Sequence, residues 1–208
     1  MLPLSIPIFP LPNVVLFPSV FLPLHIFEPR YREMLSDALR GDRIIGMVLL
    51  KGGRDDIEEP PPVYPIGCAG LVSHAETLPD GRSNIILRGL QRFRIVEEAT
   101  DLAYRRAQVE ALPEVTSDTA RAEIRATRSR LESLLAGRLE TTGGEAMVPG
   151  DMGDEDLVNT LAQYLDFEPV EKQALLERED AASRSRALVD LIEMRALLPQ
   201  PPGGLGLQ

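Results

Sequence analysis

Eleven of the 18 prolines in this 208-residue chain fall within its first 65 positions. Each removes a backbone donor and locks φ, so between most of them no helix longer than a few turns fits. The N-terminal third must therefore be built from strands and connections. Two short apolar runs, residues 4–9 and 20–26, carry prolines in or beside them, which suits sheet edges or strand ends. Residues 10–18 form a proline-bounded connection with Val14, Val15, Leu16 and Phe17 at its centre. One helix is predicted over residues 28–39. Pro29 suits its first turn, Tyr31, Met34, Leu35, Ala38 and Leu39 share a face, and Gly41 supplies the stop.

Residues 44–50 are a continuous apolar strand, expected to be buried on both faces. Residues 51–62 (KGGRDDIEEPPP) read as a loop. The strand pattern resumes over 63–75, with Gly67 and Gly70 marking bulges or bends. Pro79, Asp80 and Gly81 make a turn into a strand at 84–88. Gly89 breaks that run. Residues 92–96 then alternate, with Phe93 inward and the arginines toward solvent, and 104–112 form a last strand. About seven short strands and one helix suggest a closed or nearly closed barrel over residues 1–115.

From residue 116 the pattern turns helical. Asp118 is a candidate cap for a helix to about residue 137, with Ile124, Leu131, Leu134, Leu135 and Leu139 on its apolar face. A glycine-rich loop over 141–153 precedes a helix that Asp154 would cap, with Leu157, Leu161, Tyr164 and Leu165 inward. Helices at 168–177 and 181–198 follow, the last with a stripe of Leu188, Leu191, Ile192 and Leu198. Residues 199–208 have no pattern and read as a loose tail.

The net charge is −10, with 12 basic against 15 acidic side chains in residues 1–115 and 10 against 17 beyond. Such a balance repels nucleic-acid phosphates unless the cations share one face. Arg88, Arg92, Arg94, Arg105 and Arg106 are the densest basic group, and Glu97, Glu98 and Glu110 are natural partners for them. The chain has no Trp, so a base-stacking platform is poorly supported.

Catalytic chemistry has little to work with. No phosphate-binding G-x-x-x-x-G-K-[ST] loop and no G-x-S-x-G elbow occurs. One cysteine, Cys68, and two histidines, His25 and His74, cannot make a zinc site of the usual spacing. Ser73, His74 and Glu76 are too close along a strand to converge as a triad, because neighbours point to opposite faces. Asp55, Asp56, Glu58 and Glu59 read as a solvated loop. No catalytic residue, metal or cofactor is expected. The proline-broken N-terminus and the lack of an 18-residue apolar run lead us to expect a cytoplasmic chain without a membrane segment.

Four motifs recur in an order that resembles one known family. FPLPNVVLFP (9–18) followed by LPLHIFEPRY (22–31) looks like the opening of the N-terminal substrate-binding domain of the Lon proteases. GCAGLV (67–72) resembles that family's strand after a variable loop. LPDG (78–81) and ILRGLQRFR (86–94) resemble its hairpin and the strand pair that follows. The match is strong over residues 1–115, and the helical part agrees in type and order. The resemblance implies an α+β fold: a PUA-like β pseudo-barrel with one helix over 1–115, then a helical bundle over 116–198. It also implies a role in recognising protein substrates and supporting assembly. With no room for an ATPase module or a Ser–Lys protease domain, a stand-alone, non-catalytic form is expected. Cereblon carries a similar domain, but its ligand pocket belongs to a separate tryptophan-rich domain.

The expected function is thus a binding module for unfolded polypeptide or a protein partner. The alternative is RNA binding through a PUA-like barrel. The candidate protein-binding residues are Phe17, Phe21, Leu22, Phe27, Arg30 and Glu33. The four apolar ones lie in proline-bounded segments where full burial is difficult, and exposed apolar patches mark interaction sites.

Overall fold

In this computed structural model, which describes residues 2–52, 60–99, 102–114, 117–142 and 152–197, β1 (Ser5–Leu11) runs parallel to β3 (Ile44–Leu49). All other strand pairings among the described residues are antiparallel. β3 pairs with β4 (Ile66–Thr77), β4 with β5 (Ser83–Ala99), β5 with β6 (Arg106–Leu112), and β6 returns to β1. Five strands thus close a ring. β2 (Phe21–Ile26) lies outside it, paired only with the first half of β5 among the described residues.

The barrel interior is filled by Ile6, Ile8, Val48, Val63, Ala69, Phe93, Ala107 and Val109. Phe93 fits because two neighbours lack side chains. A Cβ at Gly46 or at Gly67 would come within 2.8 Å of the tip of its ring. The helix predicted over 28–39 is α1 (Pro29–Arg40), with Tyr31, Met34, Leu35 and Ala38 buried.

The seven expected strands are six among the described residues. The runs at 84–88 and 92–96 are one 17-residue strand, β5, which Gly89 does not interrupt. Opposite β4, Gly70 pairs with Gly89 and Ala69 with Gln91, so Leu90 is the extra residue of a bulge.

The helices are α2 (Asp118–Thr142), α3 (Asp154–Tyr164), α4 (Pro169–Leu176) and α5 (Ala181–Leu197). Several details differ from expectation. α2 runs past residue 137, and the Ser117 hydroxyl, not Asp118, accepts the capping N–H of Ala120. Gly153 is the N-cap of α3, and Asp154 instead pairs with Arg128 at 2.9 Å. The buried face of α3 is Leu157, Val158, Asn159, Ala162 and Gln163, with Tyr164 outside. Leu161 and Leu165 are only partly buried. The side chains of Leu135 and Leu139, the acidic group 55–59 and Leu198 lie outside the described residues. Among the described residues no helix is long and apolar enough to cross a membrane.

The strand-to-helix switch falls between Leu112 and Asp118, where the sequence places it. The two parts nevertheless share one core. Leu16, Phe17, Cys68 and Leu87 of the strand half belong to the same buried cluster as Ile124, Ala162, Leu175 and Leu188 of the helices.

Candidate functional site

β2 alternates. Leu22, Leu24 and Ile26 turn toward the core, and Phe21, Pro23 and His25 are exposed. Phe21 is 52% and Phe27 59% exposed. The His25 and Phe27 rings lie nearly parallel, 24° apart with centroids at 6.2 Å. His25 Nδ1 is 2.8 Å from Asn84 Oδ1, so the imidazole is tied to the neighbouring strand. At the other end the Tyr164 hydroxyl donates to the Phe21 carbonyl at 2.7 Å, and Tyr164 as a whole is 63% exposed. Three phenyl-bearing side chains thus stand in solvent along one flank, where burial of large apolar surface is still available to a ligand.

The six candidate residues do not form one patch. Phe17 is fully buried and must be removed from the set. Its prolines bracket a segment that folds inward, where the Phe17 N–H donates to Gln163 Oε1 at 3.2 Å and the Arg184 guanidinium lies 6.0 Å from the ring. Leu22 sits on the opposite face of β2 from Phe21 and packs against the core. Arg30 and Glu33 are exposed on α1. Six residue steps separate Phe21 from Phe27, roughly 20 Å of strand, so Arg30 belongs at most to the Phe27 end.

Arg30 has local partners. It pairs with Glu28 at 2.9 Å and stacks over Tyr31 at 4.5 Å, while Tyr31 packs on Phe9 with centroids 4.4 Å apart. Here it lines a cleft of about 420 Å³ with Pro10, Pro12, Tyr31, Pro61 and Tyr104. Nearby, the Tyr104 hydroxyl donates to Asp37 Oδ2 at 2.7 Å. Burial, and then this bond to a carboxylate, push the phenol up to about 12.

Two of the groups weighed for catalysis are engaged in the fold itself. The Ser73 hydroxyl donates to the Ile86 carbonyl at 2.9 Å. Cys68 is fully buried, and burial pushes its thiol up to about 12, far from a reactive thiolate. Among the described residues no group of three or more His, Cys, Asp or Glu side chains is placed to hold a metal.

The basic cluster is also dispersed. Arg94 pairs with Glu110 at 3.4 Å, Arg105 with Glu98 at 2.5 Å, and Arg106 reaches Ser5 Oγ at 3.3 Å. Arg92 corrects the expectation of a solvent-facing arginine: it is 3% exposed. It does point out of the barrel, but the helices cover that side. Its Nε lies 2.6 Å from Glu114 Oε1, and its terminal nitrogens donate to the carbonyls of Leu176 (3.1 Å), Arg178 and Glu179 (2.5 Å).

Arg184, fully buried, meets the same glutamate at 2.5 Å and also Asn159 Oδ1 at 2.8 Å and the Leu175 carbonyl at 3.2 Å. This group joins barrel to bundle. Sequence reasoning missed it, because nothing local distinguishes Glu114 or Arg184 from a surface charge.

A family model described as the ATP-dependent protease La (LON) substrate-binding domain matches residues 5–194. Among curated proteins, the Lon protease of Cytophaga hutchinsonii is 27% identical over 199 residues, which cover 92% of this chain and 24% of that protein. The Lon protease of Paraburkholderia phytofirmans is 30% identical over 198 residues, 89% of this chain and 24% of that protein. The chain spans about a quarter of the length of these relatives. Among solved structures, the N-terminal domain of Mycobacterium avium complex Lon protease superposes with a TM-score of 0.69 at 18% identity, covering 91% of this chain and 98% of that one. The Lon N-terminal domain protein from Xanthomonas campestris gives 0.60 at 20% identity, covering 94% and 99%. The closed barrel with its flanking helices is therefore a known arrangement, and the chain belongs to the Lon substrate-binding domain family.

Proposed function

We propose that this chain is a non-catalytic binding module for unfolded polypeptide, and that the β2 flank is its contact surface. The observation that carries this reading is the row of exposed rings, Phe21, Phe27 and Tyr164, beside a family match to a substrate-binding domain. Exposed aromatics let a surface gain apolar burial without demanding a particular sequence. The arginines a phosphate backbone would need mostly have carboxylate or carbonyl partners within the chain, which favours polypeptide over RNA. Neither peptide-bond nor ATP hydrolysis belongs to this reading: the Ser73 hydroxyl is bonded to a main-chain carbonyl, the Cys68 thiol is buried, and the sequence carries no phosphate-binding loop.

The test uses a permanently unfolded probe, a reduced and carboxymethylated protein, with binding read by anisotropy. The double variant Phe21→Ser/Phe27→Ser should fold as wild type and lose roughly tenfold or more in affinity, the scale expected when large apolar anchors are removed. Unchanged affinity in a normally folded double variant would move the site elsewhere.

A further inference from the structure

We propose that β2 is an acceptor edge, to which an extended segment of the bound polypeptide adds as a further strand. This deepens the reading above and rests on it. The strand has β5 on one side and no strand on the other among the described residues. Its register shows which backbone groups are free to receive one.

The Gly89 N–H donates to the Val20 carbonyl at 2.8 Å, so Val20 belongs to a hydrogen-bonded pair with β5. In an antiparallel ladder such pairs alternate. Leu22, Leu24 and Ile26 then bond to β5, and Phe21, Pro23 and His25 turn their backbone groups outward. Two independent facts agree with this parity. Proline, which has no N–H to give a ladder, occupies an outward position. The carbonyl of Phe21 is reached from outside by Tyr164.

The edge therefore presents the N–H of Phe21, the carbonyl of Pro23, and both groups of His25. An extended peptide laid along it would satisfy these groups. Every second side chain of that peptide would lie beside Phe21, Pro23, His25 and Phe27. The ligand class is accordingly an extended polypeptide with an apolar residue at alternate positions. Recognition runs through the main chain, so it tolerates many sequences but requires a segment that is not already paired. A folded protein has few such segments to offer, and an unfolded one has many. Pro23 also limits self-association: pairing of two β2 edges centred on it would oppose two missing donors.

His25→Pro tests the proposal in the full chain. It deletes an outward N–H and leaves the ladder to β5 intact, while His25→Ala controls for the imidazole. With the carboxymethylated probe, His25→Pro should bind about tenfold more weakly than His25→Ala, the scale of one or two lost backbone hydrogen bonds. If the two bind alike while Phe21→Ser/Phe27→Ser loses affinity, the flank binds through side chains alone. The edge proposal then fails and the surface reading stands. If none of the variants weakens binding, both fail. Amide exchange on the wild type keeps the proposal testable should His25→Pro unfold. The N–H groups of Phe21 and His25 should become protected on adding the probe. No protection, or protection already present in a concentration-dependent dimer without the probe, would overturn it.

Discussion

A methyl group on residue 89 would lie 2.0 Å from the carbonyl oxygen of Phe17. The sequence marks Gly89 as special, and it is, though not through a left-handed φ; the positive-φ glycines among the described residues are Gly52 and Gly81. The cause is the close approach of the 12–19 connection, whose Ser19 N–H donates to the Gly89 carbonyl at 2.9 Å. Gly89→Val should therefore destabilise by about 1–3 kcal/mol through overpacking, read as a lower denaturant midpoint. An unchanged midpoint would mean that the connection moves aside at little cost. At this scale the candidate site was half legible. Odd-numbered Phe21 and Phe27 can be placed on one face from spacing alone. Phe17 cannot, because the prolines that make its segment look exposed also bend it into the core.

Alternation along β5 is read correctly from the sequence as far as direction goes: Phe93 inward, Arg92 outward. What lies outward is a tertiary fact, and it is α4. That helix has eight residues, too few to be stable alone. Its start is held by the reciprocal bonds of Glu168 and Glu171, its end by Arg92 and Arg184, which take the Leu176 and Leu175 carbonyls. Cations there also suit the negative end of the helix dipole. Glu114 lies between the two guanidinium groups. Glu114→Ala would leave two buried cations without their carboxylate, at a cost of about 3–5 kcal/mol. Thermal unfolding of that variant is the check, and a loss under 1 kcal/mol would show that water reaches the arginines.

For the molecule as a whole, fold class was legible because prolines, glycines and alternation favour strands over most of residues 1–115, while apolar residues at helical spacing mark the rest. The sequence also suggests that residues 1–115 fold alone. The shared core predicts otherwise. Without the helices, Phe17, Leu16 and Cys68 would lose their cover, and each large apolar side chain re-exposed costs about 1.5–3 kcal/mol. A fragment of residues 1–115 should show no cooperative thermal transition where the full chain does, and a sharp transition in the fragment would restore the boundary near Glu114 as a folding boundary. Closure of the ring has a consequence in time. Ser5 pairs with Gln108, so β1, once synthesised, waits for β6, the last of the ring's strands in chain order. At ordinary rates of synthesis that is roughly 5–20 s, during which β1 has only β3 to pair with and the barrel stands open along one seam.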